Sequence, residues 1–147
     1  LHDALPIYKA LTASGTKLRN YGTVFATLAG DDKAEALPLI RRFYNLGFNI
    51  EGTPGTARFL RENGIKTREM KKISEGSDEI LEAIRRGHIA YVINTRKVGD
   101  HVKAKDGALI RQCASENNAT LFTSLDTVRV LLDVLEETTQ TISTIDA

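Results

Sequence analysis

Cysteine occurs once, tryptophan never and proline only three times among the 147 residues. The single Cys113 cannot close an internal disulfide, so packing has to hold the fold. A lone thiol in a helix-patterned run fits a reducing compartment, and a cytoplasmic location is expected. No apolar run approaches the ~20 residues that a bilayer span requires. The three His and one Cys are scattered, without metal-ligand spacing. No Ser-His-Asp set and no Walker-type loop is present. Neither sign of charge is in excess, with 20 Lys plus Arg against 19 Asp plus Glu. That balance excludes a general nucleic-acid binder, and selectivity for any anion must come from local placement.

What the chain does have is the composition of one soluble domain, 41% hydrophobic and 27% charged, at a length that buries a real core. Residues 1–7, Leu1-His2-Asp3-Ala4-Leu5-Pro6-Ile7, carry no helical period and read as a foreign or ragged segment, which fold reasoning leaves out. Residues 8–22 read as a short helix and a polar turn, a linker into a domain over 23–137. Residues 138–147 read as a polar, frayed tail.

Strand and helix periods alternate through that domain. Thr23–Ala29 is a buried-strand run. Ala36, Leu39, Ile40, Phe43 and Leu46 share one face of a helix over 32–46, which Gly47 ends. A strand at 48–52 precedes a short helix from Ala57 to Gly64, and 66–73 reads as a polar edge strand. Ser77 or Asp78 caps a helix that Gly87 ends. Ile89–Ile93 is the clearest strand. A basic loop over 95–106 precedes a helix over 107–117, Thr120–Phe122 is the last strand, and a helix from about 125 to Glu137 closes the domain. Five strands with apolar central runs and short helical connections predict a three-layer α/β fold, Rossmann-like, with a mainly parallel five-stranded sheet between helices.

The most informative segment is Gly52-Thr53-Pro54-Gly55-Thr56-Ala57, at a strand-to-helix turn. Small residues let backbone approach a bound anion, the first helical N–H groups point at it, and hydroxyls add donors. The same pattern also serves as a plain helix cap. Position separates the two readings. In an open parallel sheet the ligand sits beyond the carboxyl ends of the strands, and polar clusters recur there: Lys33 after strand one, Thr53 and Thr56 after strand two, Lys72 after strand three. Asn94-Thr95-Arg96 follows strand four, and Ser124 and Asp126 follow strand five. Lysines, hydroxyls and a glycine turn fit a phosphate, while Asn94 and Asp126 suit ribose or base groups. Each has a bland counterpart. Lys71 and Lys72 blunt an edge strand equally well, Ser124 and Asp126 form an ordinary helix start, and His88 is a solvated turn residue. His101, with Arg96, Lys97, Lys103 and Lys105, reads as a solvated loop or as a lid over an anion.

Taken in order, these pieces resemble the methylglyoxal-synthase-like domain, in the version at the carboxyl end of the carbamoyl-phosphate synthase large chain. The resemblance runs from about Tyr8 to Leu135. It is carried by Tyr8-Lys9-Ala10-Leu11 with Ala13-Ser14-Gly15, Asp32-Lys33, Leu46-Gly47-Phe48 and Gly55-Thr56-Ala57. Lys72-Ile73-Ser74-Glu75-Gly76, Val92-Ile93-Asn94-Thr95, Ile110-Arg111 and Thr123-Ser124-Leu125-Asp126-Thr127 continue it. It implies that 8–22 leaves a preceding ATP-grasp domain and that the domain itself is regulatory, with no chemistry and no cofactor of its own. The parent enzyme uses ATP with Mg or Mn and takes ammonia from a glutaminase small chain. An effector nucleotide would place its phosphate on the positions of Lys33, Thr53, Thr56 and Lys72, and its ribose or base on Asn94, Arg96 and Asp126. Arg96 replaces a ribose-contacting threonine, which leaves UMP, UTP, IMP and phosphoribosyl pyrophosphate all open. The stretch at 124–127 departs from versions that sense ornithine.

The competing reading is methylglyoxal synthase itself, acting on dihydroxyacetone phosphate. That enzyme needs a carboxylate beside the carbonyl in a Ser-Gly-Pro context. The corresponding stretch here is Ser74-Glu75-Gly76-Ser77-Asp78-Glu79, with no proline and no glycine pair. The cyclohydrolase of purine synthesis shares the fold, but its lysine and histidine motifs are missing. A ligand-free interaction module is the remaining reading.

Overall fold

The computed structural model describes residues 18–73, 76–95 and 101–146, and all side chains among these except those of 101–106 and 140–146. The expected linker helix at 8–17 and the leading segment 1–7 lie outside the described residues. Five strands, β1 (Thr23–Thr27), β2 (Asn49–Gly52), β3 (Thr67–Glu69), β4 (Ile89–Asn94) and β5 (Thr120–Phe122), form one sheet in the order β3-β2-β1-β4-β5. Every neighbouring pair is parallel. Five helices flank the sheet: α1 (Lys33–Asn45), α2 (Pro54–Glu62), α3 (Glu79–Arg85), α4 (His101–Glu116) and α5 (Leu125–Asp146). The expected α/β architecture is the observed one.

Alternation along the strands builds two cores. Val24, Ala26, Tyr91 and Ile93 face α1, α2 and α5, where they pack with Ile40, Phe43, Leu60, Leu131 and Leu132. Phe25 and Val92 point the other way, toward α3 and α4, and join Ile80, Ile84, Ile110 and Ala114. All six residues of β4 are buried, as a central parallel strand requires. The rings of Phe43, Phe48, Tyr91 and Phe122 lie 5.4 to 6.0 Å apart in edge-on and tilted pairs, each worth about 0.5–1.5 kcal/mol beyond the area buried. The Tyr91 hydroxyl does not go unpaired in this apolar setting. It accepts from the Arg19 N–H and donates to the Arg19 carbonyl, both at 2.7 Å.

Several boundaries differ from the sequence reading, and β1 ends at Thr27 instead of Ala29 while β3 spans Thr67–Glu69 instead of 66–73. The helix after β2 starts at Pro54 rather than Ala57, because proline at the first helical position is preorganised for it. The basic stretch expected as a loop over 95–106 is helical from His101. Its Lys and Ala residues are good helix formers and no breaker stands between His101 and Asp106. The last helix runs to Asp146 instead of fraying after Glu137, since 138–146 contains neither Gly nor Pro.

β1 is first in the chain yet central in the sheet. The connection after it runs to one side, to β2 and β3, and the later connection runs to the other, to β4 and β5. The strand order therefore reverses between β1 and β4, and a crevice opens there at the carboxyl ends. Gly52, the last residue of β2, makes the approach possible. A Cβ built on it would lie 3.1 Å from the Ala26 carbonyl oxygen and 3.3 Å from Thr56 Cγ2. Gly52→Ala is accordingly expected to cost about 1–3 kcal/mol of stability by overpacking, read as a lowered urea midpoint at an unchanged slope.

Candidate functional site

Beyond β1 the chain continues extended through Leu28 and Ala29, makes one 3-10 turn at Gly30–Asp32, and enters α1 at Lys33. Both extended residues give their N–H groups to threonines from elsewhere. Leu28 N–H donates to Thr56 Oγ1 at 3.1 Å, and Ala29 N–H donates to Thr95 Oγ1 at 2.9 Å. Thr95 N–H in turn donates to the Thr27 carbonyl at 3.1 Å. The exit of β1 is thus tied to the start of α2 on one side and to the end of β4 on the other.

Thr53 occupies the N-cap of α2 with extended backbone, but its hydroxyl does not cap that helix. It lies 3.3 Å from Thr56 Oγ1 and 3.5 Å from Thr27 Oγ1. The α2 N-terminus thus lacks a side-chain cap, and its first N–H groups are available to an outside acceptor. The plain-cap reading of this turn does not hold. Lys33 reaches over the same helix end, its Nζ 3.6 Å from where a Cβ on Gly55 would stand.

These groups enclose a cavity of about 220 Å³. It receives Lys33, Thr53, Thr56, Lys72 and Asn94, five of the seven residues that the sequence singles out, together with Thr27 and Thr95. Among the described residues neither Lys33 nor Lys72 is in an ion pair. No carboxylate side chain is among the described residues that line the cavity. Asp126 stays outside it: its side chain is 89% exposed and accepts from Arg129 at 2.7 Å, while Ser124 Oγ accepts the Asp126 N–H. Its place is that of an ordinary helix start. Arg96 and Lys97 lie outside the described residues, as do the side chains of His101, Lys103 and Lys105. Thr27 and the hydroxyl role of Thr95 were not foreseen, and no local signal carries them, since the partner of Thr95 lies 66 residues away.

The model of the MGS-like domain family matches residues 35–123, which includes Thr53, Thr56, Lys72 and Asn94. The chain belongs to that family. In this MGS-like domain the match covers the sheet from β2 to β5 and the helices between, with Lys33 just ahead of it.

A second and larger groove, about 830 Å³, lies away from the threonine cluster. Among the described residues two helices cover this face of the sheet, α3 and α4, and Glu51, Arg68, Glu79, Glu82 and Asp78 line the opening beside β2 and β3. Asp78, which falls in the stretch corresponding to the synthase's carboxylate segment, belongs to this groove and not to the lysine and threonine cavity. Glu51 points onto the open face from β2 opposite Arg68 of β3. Its side chain is 12% exposed, Arg68 Nη1 stands 3.7 Å from one oxygen, and the other oxygen has no hydrogen-bond partner. Burial raises its carboxyl above the usual range, with Arg68 and His88 opposing the shift.

A carboxyl whose folded pKa is raised favours the folded state most when protonated, and that contribution is lost as the pH rises through the folded value. The ionised form is the costly one. Glu51→Gln in this MGS-like domain should therefore raise the urea midpoint at pH 7.5, and the advantage should shrink on acidification and vanish near pH 4. An advantage that does not change with pH would remove Glu51 as its cause.

Proposed function

We propose that this chain is the regulatory, nucleotide-binding domain of a carbamoyl-phosphate synthase large chain. It would control ATP-dependent synthesis of carbamoyl phosphate for pyrimidine and arginine formation. The observation that carries this reading is the composition of the 220 Å³ cavity, two lysines with threonine hydroxyls and an asparagine at the β1/β4 switch point, and no carboxylate in its described lining. A site built this way binds an anion but offers no base to take a proton from a substrate carbon. Methylglyoxal synthase needs such a base, and Asp78 lines the other groove.

In this reading Lys33, Lys72, Thr53 and Thr56 hold the effector's phosphate with the N-terminus of α2, and Asn94 takes the ribose. Arg96 takes a further phosphate or a ribose hydroxyl. The effector belongs to the class of UMP, UTP, IMP or phosphoribosyl pyrophosphate. The domain would work in the cytoplasm beside ATP-grasp domains of the same chain and a glutaminase small chain, with ATP and Mg or Mn used elsewhere in the parent enzyme. The order of short motifs from Tyr8 to Thr127 supports this parentage.

Calorimetric titration of UMP, IMP and phosphoribosyl pyrophosphate into the 147-residue chain tests the reading. At least one should bind below millimolar concentration. Lys72→Ala should weaken it about ten-fold or more, a loss of ~1.4 kcal/mol from one charge-assisted contact. Dihydroxyacetone phosphate should release no phosphate. Failure of all three ligands, or a silent Lys72→Ala, would end the regulatory reading. Phosphate release that disappears in Asp78→Asn would replace it with the synthase.

A further inference from the structure

A hydroxyl has one proton to donate and two lone pairs that accept. Thr56 Oγ1 accepts the Leu28 N–H at 3.1 Å and shares a hydrogen bond with the Thr53 hydroxyl 3.3 Å away. Thr95 Oγ1 accepts the Ala29 N–H at 2.9 Å. Each hydroxyl therefore turns its own proton away from the backbone that it holds. Thr56 is 1% exposed and Thr95 is 8% exposed, and both line the cavity. Among the described residues the Thr95 proton has no acceptor. Buried polar groups are paired in native proteins, so a buried O–H donor beside a cavity calls for an acceptor that arrives from outside.

The charged lining points the same way. Lys33 on α1 and Lys72 after β3 are the charged side chains among the described residues of the wall, and both are cations. Ile80 from α3 and Gly107 and Ile110 from α4 add no titratable group, and Asp31 and Asp32 do not line the cavity. Asn94 can present its NH₂. Among the described residues of the wall there is no carboxylate to repel an anion.

Resting on the anion-site reading above, the geometry points to a site for the fully deprotonated dianion, with Thr95 as a ligand-binding residue alongside Thr56. A protonated phosphate monoester brings one negative charge fewer to the same two lysines. An anion of the same shape that never carries a proton, such as sulfate, fits as well as the phosphate dianion. Thr95 thus has two partners, the Ala29 N–H behind it and an anionic oxygen in front.

The test uses UMP and inorganic sulfate with the full chain. A phosphate monoester loses its second proton near pH 6, so UMP affinity should fall about ten-fold between pH 7.5 and pH 5. Sulfate, measured as a competitor, should displace UMP with the same affinity at both pH values. Thr95→Val should weaken both ligands about ten-fold, and Thr95→Ser, which keeps the hydroxyl, should stay within about three-fold of the natural chain. A flat UMP profile, or sulfate affinity that falls in parallel with UMP, overturns the dianion inference even if Thr95→Val fails to fold. Unchanged binding in a folded Thr95→Val removes Thr95 from the site. If UMP, IMP and phosphoribosyl pyrophosphate all fail to bind at pH 7.5, this inference falls together with the function on which it rests, whereas binding without the pH contrast defeats this inference alone.

Discussion

Everything at the carboxyl end of the sheet depends on how the chain leaves β1. A central strand must end somewhere, and the first N–H groups beyond it lose their ladder partners in a place where water is scarce. Here the N–H groups of Leu28 and Ala29 are captured by the hydroxyls of Thr56 and Thr95. Each capture avoids the penalty of an orphaned buried donor, about 1–3 kcal/mol. Each also fixes distance: one pins the loop to α2, the other to the end of β4. Gly52 lets the α2 end approach closely enough for the first bond to form. Remove these ties and Lys33, which follows four to five residues later, loses its station over the start of α2.

Charge placement repeats the economy of the backbone. The chain is nearly neutral overall, and many of its ionic side chains are committed to one another. Arg42 of α1 bridges Glu136 and Asp133 of α5, and Arg129 of α5 reaches back to Glu35 of α1. These pairs tie α1 to α5, and exposed ion pairs contribute little individually. Lys33 and Lys72 stand apart from such pairing among the described residues. A lysine on the first turn of a helix opposes the helix dipole, a local cost that an arriving anion reverses. The cavity is therefore better matched to a negative ligand than the net charge of +1 would suggest.

How far the sequence could be read follows from the range of the interactions. The run Ile89–Ile93 announces a buried strand because burial on both faces leaves a continuous apolar stretch, and it is buried at every position. Thr53, Thr56, Lys33, Lys72 and Asn94 were legible because strand ends and helix starts can be placed from periodicity, and the parallel topology then gathers them on one rim. Thr95 was visible as a rim residue, but its hydroxyl bond to Ala29 was not, since spacing along the chain holds no trace of a pairing made across the sheet. Asp126 was read onto the rim by the same rule that placed the others, yet β5 is an edge strand and its end lies to one side of the switch point. The start of α4 and the stop of α5 escaped because helix propensity alone, beyond the end of an apolar stripe, gives no boundary. Glu51 looks like a solvent-facing position in an edge-ward strand. It lies instead in the groove that residues of β2, β3 and α3 share, a placement with no trace in local spacing.

The bond between Tyr91 and the backbone of Arg19 gives β4 a mechanical meaning. The phenol grips the backbone at Arg19, just ahead of β1, while Asn94 and Thr95 stand at the other end of the same strand. Only three residues separate Tyr91 from Asn94, about 10 Å of extended backbone. The strand is buried throughout and hydrogen-bonded on both flanks, so it bends little. A displacement at the cavity end and one at Arg19 act on one stiff rod, and neither needs to pass through a loop to reach the other.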